Sequence, residues 1–514
     1  MTLLLDALDR TLKEPGCAWR WHAMMAFWQD TRDDQARASV LDVLEKMSEA
    51  DARTDVLRLT FLACATADSR FESAAALKVL QLDPADPDRL AAYMAFQWLS
   101  ALQYMEERSA FIAALSAGRV PEMAERLMRD AASLLPPGFK LRIPDDVRRV
   151  AVVAPYIGHQ YHTPSTMAVE QCAILAREGC EVHLFTAQEL MPPDASQFRG
   201  DGRELMLPPF DATVWGRLLP AGARMTVSDQ RFSLPGRWRN LLPAMAEFDP
   251  DVVLLVGLFS PLAAALYGVR PVVGLSVNSV APIAPVDVWL SANAAAERRA
   301  SWGKIFPEAQ VAFHPYRLRR SRRQYALTRA QFGFADSAVI LITAGFRLEH
   351  EIKADWADRM LQLMEHHPQV VWLLVGGAGK LPTALAKAPA NRVRVFATRD
   401  DVPGMLRISD IYVNPPRMGG GISVAEAMAE GLPVVSLTGS DGGDKAGEQA
   451  LTGHDAYVER LAALIEDPAM RRDLGAAMRR RFDERFDLDA SGPALLAACR
   501  QAAELSRERL TGSS

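Results

Sequence analysis

The sequence lacks the cysteine arrangements that zinc sites and disulfide frameworks require. Its 514 residues include five cysteines, an odd number, with neither a CxxC pair nor a cluster of cysteine and histidine. We therefore predict a protein of the reducing cytoplasm with no bound metal. Residues 1–16 also lack the basic start and the long apolar core of a signal peptide, so the sequence predicts no export.

An excess of positive charge and a long hydrophobic run are missing as well. The chain has 58 Lys and Arg against 63 Asp and Glu, a formal net charge of −5, which excludes bulk electrostatic binding of nucleic acid. One uncharged stretch, 252–269, has 18 residues, close to the minimum for a membrane span. Its β-branched start, followed by Gly257, Ser260 and Pro261, predicts a buried strand, a turn and a helix instead. The sequence thus predicts no transmembrane segment.

The length corresponds to about three domains at roughly 150 residues each. Residues 1–140 predict a helical domain, because apolar residues recur there at spacings of three and four. Two leucine-rich segments, 41–44 and 77–80, repeat at an offset of 36 residues. This offset suits a tetratricopeptide-like pair of helices, and a plain helical bundle remains an alternative.

From residue 147 onward, short apolar runs alternate with amphipathic segments. The alternation predicts two successive α/β units, 147–325 and 330–485, and a carboxy-terminal helix within 486–514. In such units parallel strands are covered by helices, and ligands bind outside the carboxyl ends of the strands. Two units of this kind that face one another create a cleft between them.

The segment 411–435 is the strongest candidate for a binding site. A short strand leads into three consecutive glycines and the start of a helix, where Gly420, Gly421 and Ser423 offer main-chain N–H groups to an anion such as a pyrophosphate. Glu426 lies one turn into this helix, where its carboxylate can accept hydrogen bonds from the hydroxyls of a ribose. The alternative is a plain glycine turn with an acid that complements the helix dipole.

The loops that follow the first strand of each α/β unit carry side chains suited to the same chemistry. In the second unit, Arg347 and Lys353 can bind two phosphates, or they can be solvated loop charges. In the first unit, His159 and His162 are expected at the mouth of the cleft, where histidine can exchange protons near neutral pH. A loop histidine can equally be an ordinary polar surface residue.

Three further motifs are predicted to have structural roles. The acidic pattern 249–251 resembles a metal-binding DxD motif but directly precedes a buried strand, which favours a helix-to-strand turn. The glycine-rich segment 376–379 lacks the spacing of a dinucleotide site. The arginine-rich run 317–323 is expected to be a solvated connection between the two α/β units, with contact to an anionic ligand or a partner as the alternative.

The order of these segments resembles the catalytic region of the GT-B glycosyltransferases. Within that class it resembles O-GlcNAc transferase and its bacterial relatives, the adhesin N-glucosyltransferases, over residues 147–450. The resemblance implies two facing Rossmann-like domains, an acceptor-side one at 147–325 and a nucleotide-sugar-binding one at 330–485, preceded by an all-helical domain. The segments that carry it are IGHQYHTPST (157–166), 270–291, TRAQFGF (328–334), 344–353, VVWLLVGG (370–377), 391–402 and 408–435.

The resemblance implies a role for each candidate on the donor side. Lys353 corresponds to a lysine that contacts the donor diphosphate and acts in catalysis, and Glu426 to a carboxylate that holds the ribose. Arg347 corresponds to a phosphate contact. The main chain of Phe396 and Ala397 corresponds to the part that binds the base, and the phosphate-binding turn comprises Gly420, Gly421 and Ser423.

On the acceptor side, the resemblance implies that His162 is catalytic, as a residue that orients the acceptor or takes its proton. His159 and Asp287 are expected beside it. The segment around Glu426 also resembles the GT4 family, whose signature has two glutamates eight positions apart. Glu426 fits the second of these, while Met418 stands at the first.

The expected function is transfer of a sugar from a nucleotide-diphosphate donor, a UDP-sugar by resemblance, with no cofactor beyond this co-substrate. The acceptor is expected to be a protein side chain bound with the help of the helical domain, and the reaction to be metal-independent and inverting. The alternatives are a GT4-like transferase for a glycan or lipid-linked acceptor, an epimerase that uses the same cleft, and a non-catalytic helical adaptor with a remnant transferase domain.

Overall fold

The computed structural model shows an all-helical region followed by two α/β units with mainly parallel sheets. No helix among the described residues combines the length and hydropathy that crossing a membrane needs. The structure describes residues 3–47, 51–82, 86–137, 139–160, 162–190, 195–202, 210–278, 280–293, 299–300, 302, 305–320 and 325–511.

Four helices of the amino-terminal region begin at aspartates whose side chains accept main-chain N–H groups: Asp33, Asp51, Asp68 and Asp86. The first and third of these caps are 35 residues apart, and so are the second and fourth, so two successive helix pairs share one period. The helices are α1 Leu3–Lys13, α2 Ala18–Asp30, α3 Asp34–Lys46, α4 Ala52–Thr66, α5 Ser69–Gln81, α6 Pro87–Tyr104, α7 Arg108–Ala117 and α8 Val120–Ala132.

The helical region is packed onto the first α/β unit. One hydrophobic core runs from α4 to α8 into the helices and strands of that unit, and buried Leu127 of α8 and Leu262 belong to it. A second core holds α1 to α4 together around Trp21 and Phe61, whose ring centroids are 5.9 Å apart. Because burial of apolar surface is the main stabilising contribution, the helical region is held in place by a core and not by a linker alone.

The first unit has the strand order β3-β2-β1-β4-β5-β6-β8-β7, with all neighbouring pairs parallel except β7 with β8. Strand β1 lies between β2 and β4, and Val152 pairs with Leu184 and Leu254. The direction of winding changes between β1 and β4, so a crevice opens beside the loop that follows β1. The elements are β1 Arg149–Val153, α9 Thr163–Arg177, β2 Glu181–Thr186, α10 Ala212–Leu218, β3 Arg224–Val227, α11 Leu234–Phe248, β4 Val252–Val256, α12 Pro261–Leu266, β5 Val272–Leu275, β6 Val288–Ser291, β7 Arg299–Ala300 and β8 Ala309–Phe313.

The second unit has a fully parallel sheet in the order β11-β10-β9-β12-β13. Its winding changes between β9 and β12, which places the loop after β9 beside the glycine turn after β12. The elements are β9 Val339–Ala344, α13 Leu348–Glu351, α14 Ala354–His366, β10 Val370–Val375, β11 Val393–Phe396, α15 Val402–Ile408, β12 Ile411–Val413, α16 Gly421–Ala429, β13 Val434–Val435, α17 Asp441–Ala446, α18 His454–Glu466 and α19 Pro468–Arg485.

The last helix, α20 Gly492–Thr511, returns to the first unit. Its buried residues, among them Leu495 and Cys499, share a core with α9 and with strands of the first sheet. The chain therefore passes between the two units twice, once before β9 and once after α19.

The expectation of a solvated arginine-rich connection is wrong for Arg317. This side chain is buried, and its guanidinium donates to the main-chain carbonyls of His314, Tyr316 and Leu290. Three carbonyl acceptors replace water around the buried cation, which makes burial tolerable. Residues 321–324 lie outside the described part of the chain.

The acidic pattern at 249–251 forms a turn, as predicted. Asp249 has a left-handed backbone, φ 47°, and ends α11. Its carboxylate accepts from Arg149 at 3.0 Å and from Arg270 at 2.7 Å, and Arg142 pairs with it as well. Three arginines satisfy this carboxylate within the fold. The described residues hold no group of three or more side chains arranged to bind a metal.

Candidate functional site

The glycine turn after β12 has a shape that only glycine permits. Gly420 is left-handed, φ 89° and ψ 0°, and a Cβ there would lie 2.3 Å from Oδ1 of Asn414 and 2.7 Å from Nε of Arg417. The first helical hydrogen bond of α16 runs from the Val424 N–H to the Gly420 carbonyl, 2.9 Å. The N–H groups of residues 421–423 donate to no main-chain acceptor in the described structure, so they can hold an anion.

A buried arginine that sequence reasoning missed supports this turn. Arg417 donates to Glu351 Oε2 at 2.6 Å and to the Ala344 carbonyl at 3.0 Å. It also donates to Oδ1 of Asn414 at 2.9 Å and to Oγ of Ser423 at 3.2 Å. Arg417 thus joins the loop after β9 to the loop after β12. The signal in the sequence was an arginine two residues before the glycine run.

The Ser423 side chain is engaged within the turn. Its hydroxyl accepts from Arg417 and donates to the Gly420 carbonyl at 3.1 Å. Gly421 starts the helix, and a Cβ there would lie 3.0 Å from Cβ of Asp441. The structure thus brings the three predicted turn residues together, and Ser423 offers a ligand its main-chain N–H.

Arg347 lies against the glycine turn with one donor unused. Its Nη2 donates to Oε1 of Glu351 at 2.9 Å, and a Cβ at Gly419 would lie 3.4 Å from the same Nη2 atom. Its Nε is buried and has no hydrogen-bond partner among the described residues. Since buried donors are almost always paired in folded proteins, an acceptor atom of a ligand is the expected partner.

Glu351 balances the two arginines. Burial opposes ionisation of Glu351, but the charges and hydrogen bonds of Arg417 and Arg347 outweigh it and hold the pKa of this carboxyl below its usual value. One carboxylate thus faces two guanidiniums, which leaves one net positive charge in this group of three residues. An anion is attracted to such an imbalance.

The loop after β9 leads into the short helix α13. Lys353 lies two residues after the end of α13 and occupies the N-cap position of α14. Its Nζ donates to the His350 carbonyl at 2.6 Å. Burial lowers the pKa of Lys353, while Glu106 and Glu351 act in the opposite direction. The ammonium therefore lies at the same edge of the sheet as Arg347, in a partly desolvated environment where its attraction to a phosphate is strengthened.

Glu426 is partly buried in α16, and its carboxylate forms no hydrogen bond with a described residue. Burial raises the pKa of Glu426 to about 7, and Glu430 adds to the shift. Across the crevice, burial also raises the pKa of Glu170 in α9 to about 7, with smaller effects of Arg319, Asp489 and Glu426. Sequence reasoning missed Glu170, because nothing in a single helix shows what faces it.

His162 is the residue of the first unit that faces Arg347. It caps the start of α9, and its ring is edge-on to Tyr156 with centroids 5.3 Å apart. Burial, followed by the charge of Arg347, lowers the pKa of His162 to about 4. The imidazole is therefore neutral at pH 7. The Tyr156 hydroxyl beside it is buried without a hydrogen-bond partner in the described structure.

The hydrogen bonds of Ser165 determine which His162 nitrogen carries the proton. Oγ of Ser165 accepts the Gly158 N–H at 2.9 Å and lies 2.6 Å from Nδ1 of His162. The hydroxyl hydrogen has no other acceptor among the described residues, so it is donated to Nδ1. A neutral ring that accepts at Nδ1 carries its proton on Nε2. His162 thus offers an N–H group, not a lone pair, at Nε2.

The predicted base-binding residues lie at the edge of the second sheet. Phe396 ends β11, and its carbonyl accepts the Gly376 N–H at 2.9 Å. The main chain of the next residue, Ala397, forms no hydrogen bond with a described residue, which leaves one donor and one acceptor for a base. The loops are tightly apposed here, because a Cβ at Gly379 would lie 2.8 Å from the Ala397 nitrogen.

Asp287 is not brought to the crevice. It precedes β6, at the amino end of the strand, and its carboxylate accepts the Val272 N–H at 2.8 Å and the Arg509 Nε at 3.0 Å. It therefore anchors α20 on the side of the sheet opposite to the carboxyl ends. His159 does lie in the loop after β1, where its carbonyl accepts the His162 N–H at 2.9 Å.

The helical region reaches the same site through the turn between α6 and α7. The Met105 carbonyl accepts the Met418 N–H at 3.1 Å. The Met418 side chain is fully buried and belongs to the core shared by the helical region and the first unit. Arg108 donates its N–H to the Gly439 carbonyl at 2.9 Å and forms an ion pair with Asp444. Three parts of the chain therefore meet at the glycine turn.

Comparisons with known proteins agree with this architecture. Residues 338–467 match the family described as glycosyl transferases group 1. An O-GlcNAc transferase from Thermobaculum terrenum, a lysine-to-methionine mutant, superimposes with a TM-score of 0.58 and 14% identity over 99% of this chain and 95% of that one. A search of curated protein sequences found no match.

Two further solved glycosyltransferases cover a smaller part of the chain. WaaG, a glycosyltransferase involved in lipopolysaccharide biosynthesis, has a TM-score of 0.44 and 13% identity over 68% of this chain and 99% of that one. SnogD from Streptomyces nogalater has a TM-score of 0.41 and 15% identity over 69% and 100%. The family match and the shared fold identify the chain as a glycosyltransferase with two GT-B-type α/β units and an all-helical amino-terminal region.

Proposed function

We propose that the enzyme transfers a sugar from a UDP-sugar to a protein side chain, without a metal and with inversion at the anomeric carbon. The observation that carries the proposal is the unpaired, buried Nε of Arg347 beside the open N–H groups at the start of α16. Both lie in the crevice where parallel sheets bind ligands, and both lack an acceptor that a diphosphate would supply.

The donor fits along the carboxyl edge of the second sheet. The base lies against the main chain of Ala397, the ribose hydroxyls donate to Glu426, and the diphosphate lies on the glycine turn between Arg347 and Lys353. Hydroxyl donors supply the hydrogen bonds that the Glu426 carboxylate lacks within the fold, and they favour its ionised form.

The chemical step breaks the bond between the anomeric carbon and a β-phosphate oxygen, and negative charge develops on that oxygen. Arg347, Lys353 and the α16 N–H groups stabilise this charge. Charge-assisted hydrogen bonds of this kind contribute about 1.5–3 kcal/mol each, and a site that excludes water increases their effect. Fixed cations thus perform the task that a metal performs in other transferases.

The acceptor approaches from the first unit, opposite to the phosphates. Attack from this side on the anomeric carbon inverts its configuration. His162 lies there with its Nε2–H available, so it donates a hydrogen bond that orients the acceptor or the donor, and it does not take the acceptor proton. The acceptor atom forms the new bond to the anomeric carbon and releases its proton to water, while the β-phosphate oxygen leaves with the electron pair of the broken bond. This is the role that the hydrogen bonds of Ser165 support.

A protein acceptor is proposed because the helical region is fused to the acceptor-side unit by one core. Repeated helix pairs offer extended grooves that bind peptides. A second candidate is a GT4-like transferase for a glycan or lipid-linked acceptor, which the match to group 1 transferases favours. The structure favours the non-catalytic adaptor less, because a site without a ligand would leave the buried Arg347 Nε without a hydrogen-bond acceptor.

Binding and transfer experiments test the proposal. Titration calorimetry with UDP, GDP, ADP and their sugars shows which nucleotide binds, and mass spectrometry of candidate proteins incubated with the enzyme and donor shows the added mass. Lys353→Ala should abolish transfer while the protein stays folded. Lys387→Ala, an exposed lysine of the same unit, is the matched control. Normal turnover by Lys353→Ala would exclude the assigned site.

A further inference from the structure

Glu106 is a carboxylate of the helical region held at the edge of the donor site. It stands between Met105, which is bonded to Met418, and Arg108, which is bonded to Gly439. Both ends of the turn that carries Glu106 are therefore attached to loops of the second unit. The position of this residue relative to the glycine turn is set by main-chain hydrogen bonds, which a single substitution of the Glu106 side chain does not remove.

Glu106 lies near Lys353, one of the residues of the proposed diphosphate site. Burial raises the pKa of Glu106, Asp355 adds to the shift, and His454 and Lys353 oppose it. The side chain is half-buried and forms no hydrogen bond or ion pair with a described residue. A partly desolvated carboxylate without a partner in the described protein is available to the hydrogen-bond donors of a ligand.

Met418 leaves its position beside the glycine turn without a polar side chain. The GT4 signature has a glutamate at this position, but the Met418 side chain points into the core shared with the helical region, where it is fully buried. The residue therefore attaches the second unit to the helical region and offers the donor no polar group. Glu106 follows the residue that binds the Met418 N–H, so its main chain is held beside the glycine turn.

We propose that Glu106 accepts hydrogen bonds from hydroxyl groups of the transferred sugar, so that the helical region takes part in selecting the donor. The inference rests on the proposed donor site. A carboxylate has lone pairs for two vicinal hydroxyls, whereas it repels the oxygens of the diphosphate. Lys353 lies close to Glu106, where its ammonium can bind the diphosphate of the donor and offset the charge of the Glu106 carboxylate.

Calorimetry on the full chain tests this assignment. UDP, UDP-glucose and UDP-N-acetylglucosamine are titrated into the wild type, Glu106→Ala, Glu106→Gln and Glu107→Ala, and the readout is the ratio of the UDP affinity to the UDP-sugar affinity. We expect Glu106→Ala to reduce the preference for the better UDP-sugar about tenfold, the size of one or two hydrogen bonds to a charged group. Glu106→Gln should lose less, because its amide oxygen still accepts.

Glu107→Ala is the matched control, since Glu107 is the exposed neighbour on the same turn and carries the same charge. Its ratio should equal that of the wild type. An unchanged ratio in folded Glu106→Ala overturns the inference, and so does an equal loss of UDP and UDP-sugar affinity, which would show that Glu106 acts only through Lys353. If the wild type binds none of UDP, GDP, ADP and their sugars, the proposed function itself fails and the inference fails with it.

Discussion

The guanidinium of Arg417 donates to the carboxylate of Glu351 at 2.6 Å, and both side chains are almost completely buried. This pair joins the loop after β9 to the loop after β12 at the point where the sheet changes its winding direction. The position of the glycine turn, and with it the direction of the α16 N–H groups, depends on this connection. The geometry of the glycine turn is thus supported by a buried ion pair.

Removal of one partner of this ion pair should destabilise the protein strongly. Arg417→Ala leaves Glu351 with one cation where it had two, and it removes donors from Asn414 and the Ala344 carbonyl. Breaking a buried pair in this way costs about 3–5 kcal/mol. The free energy of unfolding, measured in urea, checks this prediction, and donor affinity should fall as well because the turn is released.

An exposed ion pair of the same unit supplies the control. Arg359 and Asp455 are 2.6 Å apart with the carboxylate almost fully exposed, so Arg359→Ala should cost less than about 1 kcal/mol. Comparable losses in Arg359→Ala and Arg417→Ala would show that the buried pair has no special role.

Gly420→Ala should impair donor binding more than it impairs folding. The new Cβ would need a left-handed backbone, which costs about 1–2 kcal/mol, and it would displace Asn414 and Arg417, which lie within 3 Å of it. Gly179 has nearly the same φ, 87°, with nothing within 4 Å of an added Cβ. Gly179→Ala therefore carries the backbone cost alone. Nucleotide affinity should drop in Gly420→Ala and stay unchanged in Gly179→Ala.

Most of the strands could be predicted from the sequence, but β3, β6, β7 and β8 could not, because they are short or lack a continuous apolar run. Continuous apolar runs such as 252–256 and 370–375 are strands with those same limits, because strands of parallel sheets are buried on both faces. The order of strands along the chain, combined with the rule that ligands bind at carboxyl ends, was sufficient to bring Arg347 and the glycine turn together. These are properties of local pattern and of a general topological rule.

Contacts between distant segments could not be predicted. Asp287 is a buried partner of Arg509, which is more than two hundred residues away in the sequence, and no local pattern distinguishes such an anchor from an acceptor-site acid. In the sequence, Met418 likewise appears only as a departure from the GT4 signature, which has a glutamate at this position. In the structure, its side chain packs in the core shared with the helical region. The roles of such residues depend on which distant segments pack against each other. The periodicity of a single sequence carries no information about this packing.

Two partly buried carboxyls, one in each α/β unit, predict a pH dependence of stability. Glu170 and Glu426 have pKa values of about 7 in the folded protein, above the 4.5 of an unperturbed glutamate. The folded state therefore binds these protons more tightly, so their stabilising effect is complete below about pH 4.5 and is lost as the pH rises through about 7.

Glu426→Gln imitates the protonated form and should remove part of this dependence. Relative to the wild type it should gain stability at pH 8, on the order of 1–2 kcal/mol after allowance for partial solvent screening, and gain little at pH 5. Urea unfolding at both pH values measures the difference. Glu459→Gln, an exposed acid of α18, should behave alike at the two pH values. A gain at pH 5 as large as that at pH 8 would contradict the assigned ionisation.

His162 should act as a hydrogen-bond donor whose ionisation does not limit the reaction between pH 5.5 and 8.5. Its pKa of about 4 keeps the ring neutral over this range, and the bond from the Ser165 hydroxyl to Nδ1 keeps the proton on Nε2. His162→Ala should lower the rate of transfer about 10- to 100-fold, the effect of one hydrogen bond to a charged group. His162→Gln should restore part of it, because the glutamine amide also donates.

The pH–rate profile distinguishes a donor from a base. If His162 removed the acceptor proton, the wild-type rate would titrate with the histidine and His162→Gln would be as inactive as His162→Ala, since an amide cannot take a proton. Ser165→Ala gives an independent check: it frees Nδ1 to carry the proton, so it should lower the rate by weakening the Nε2–H tautomer, whereas a base at Nε2 would be improved by the same change. His366→Ala, an exposed histidine of α14, controls for loss of an imidazole as such.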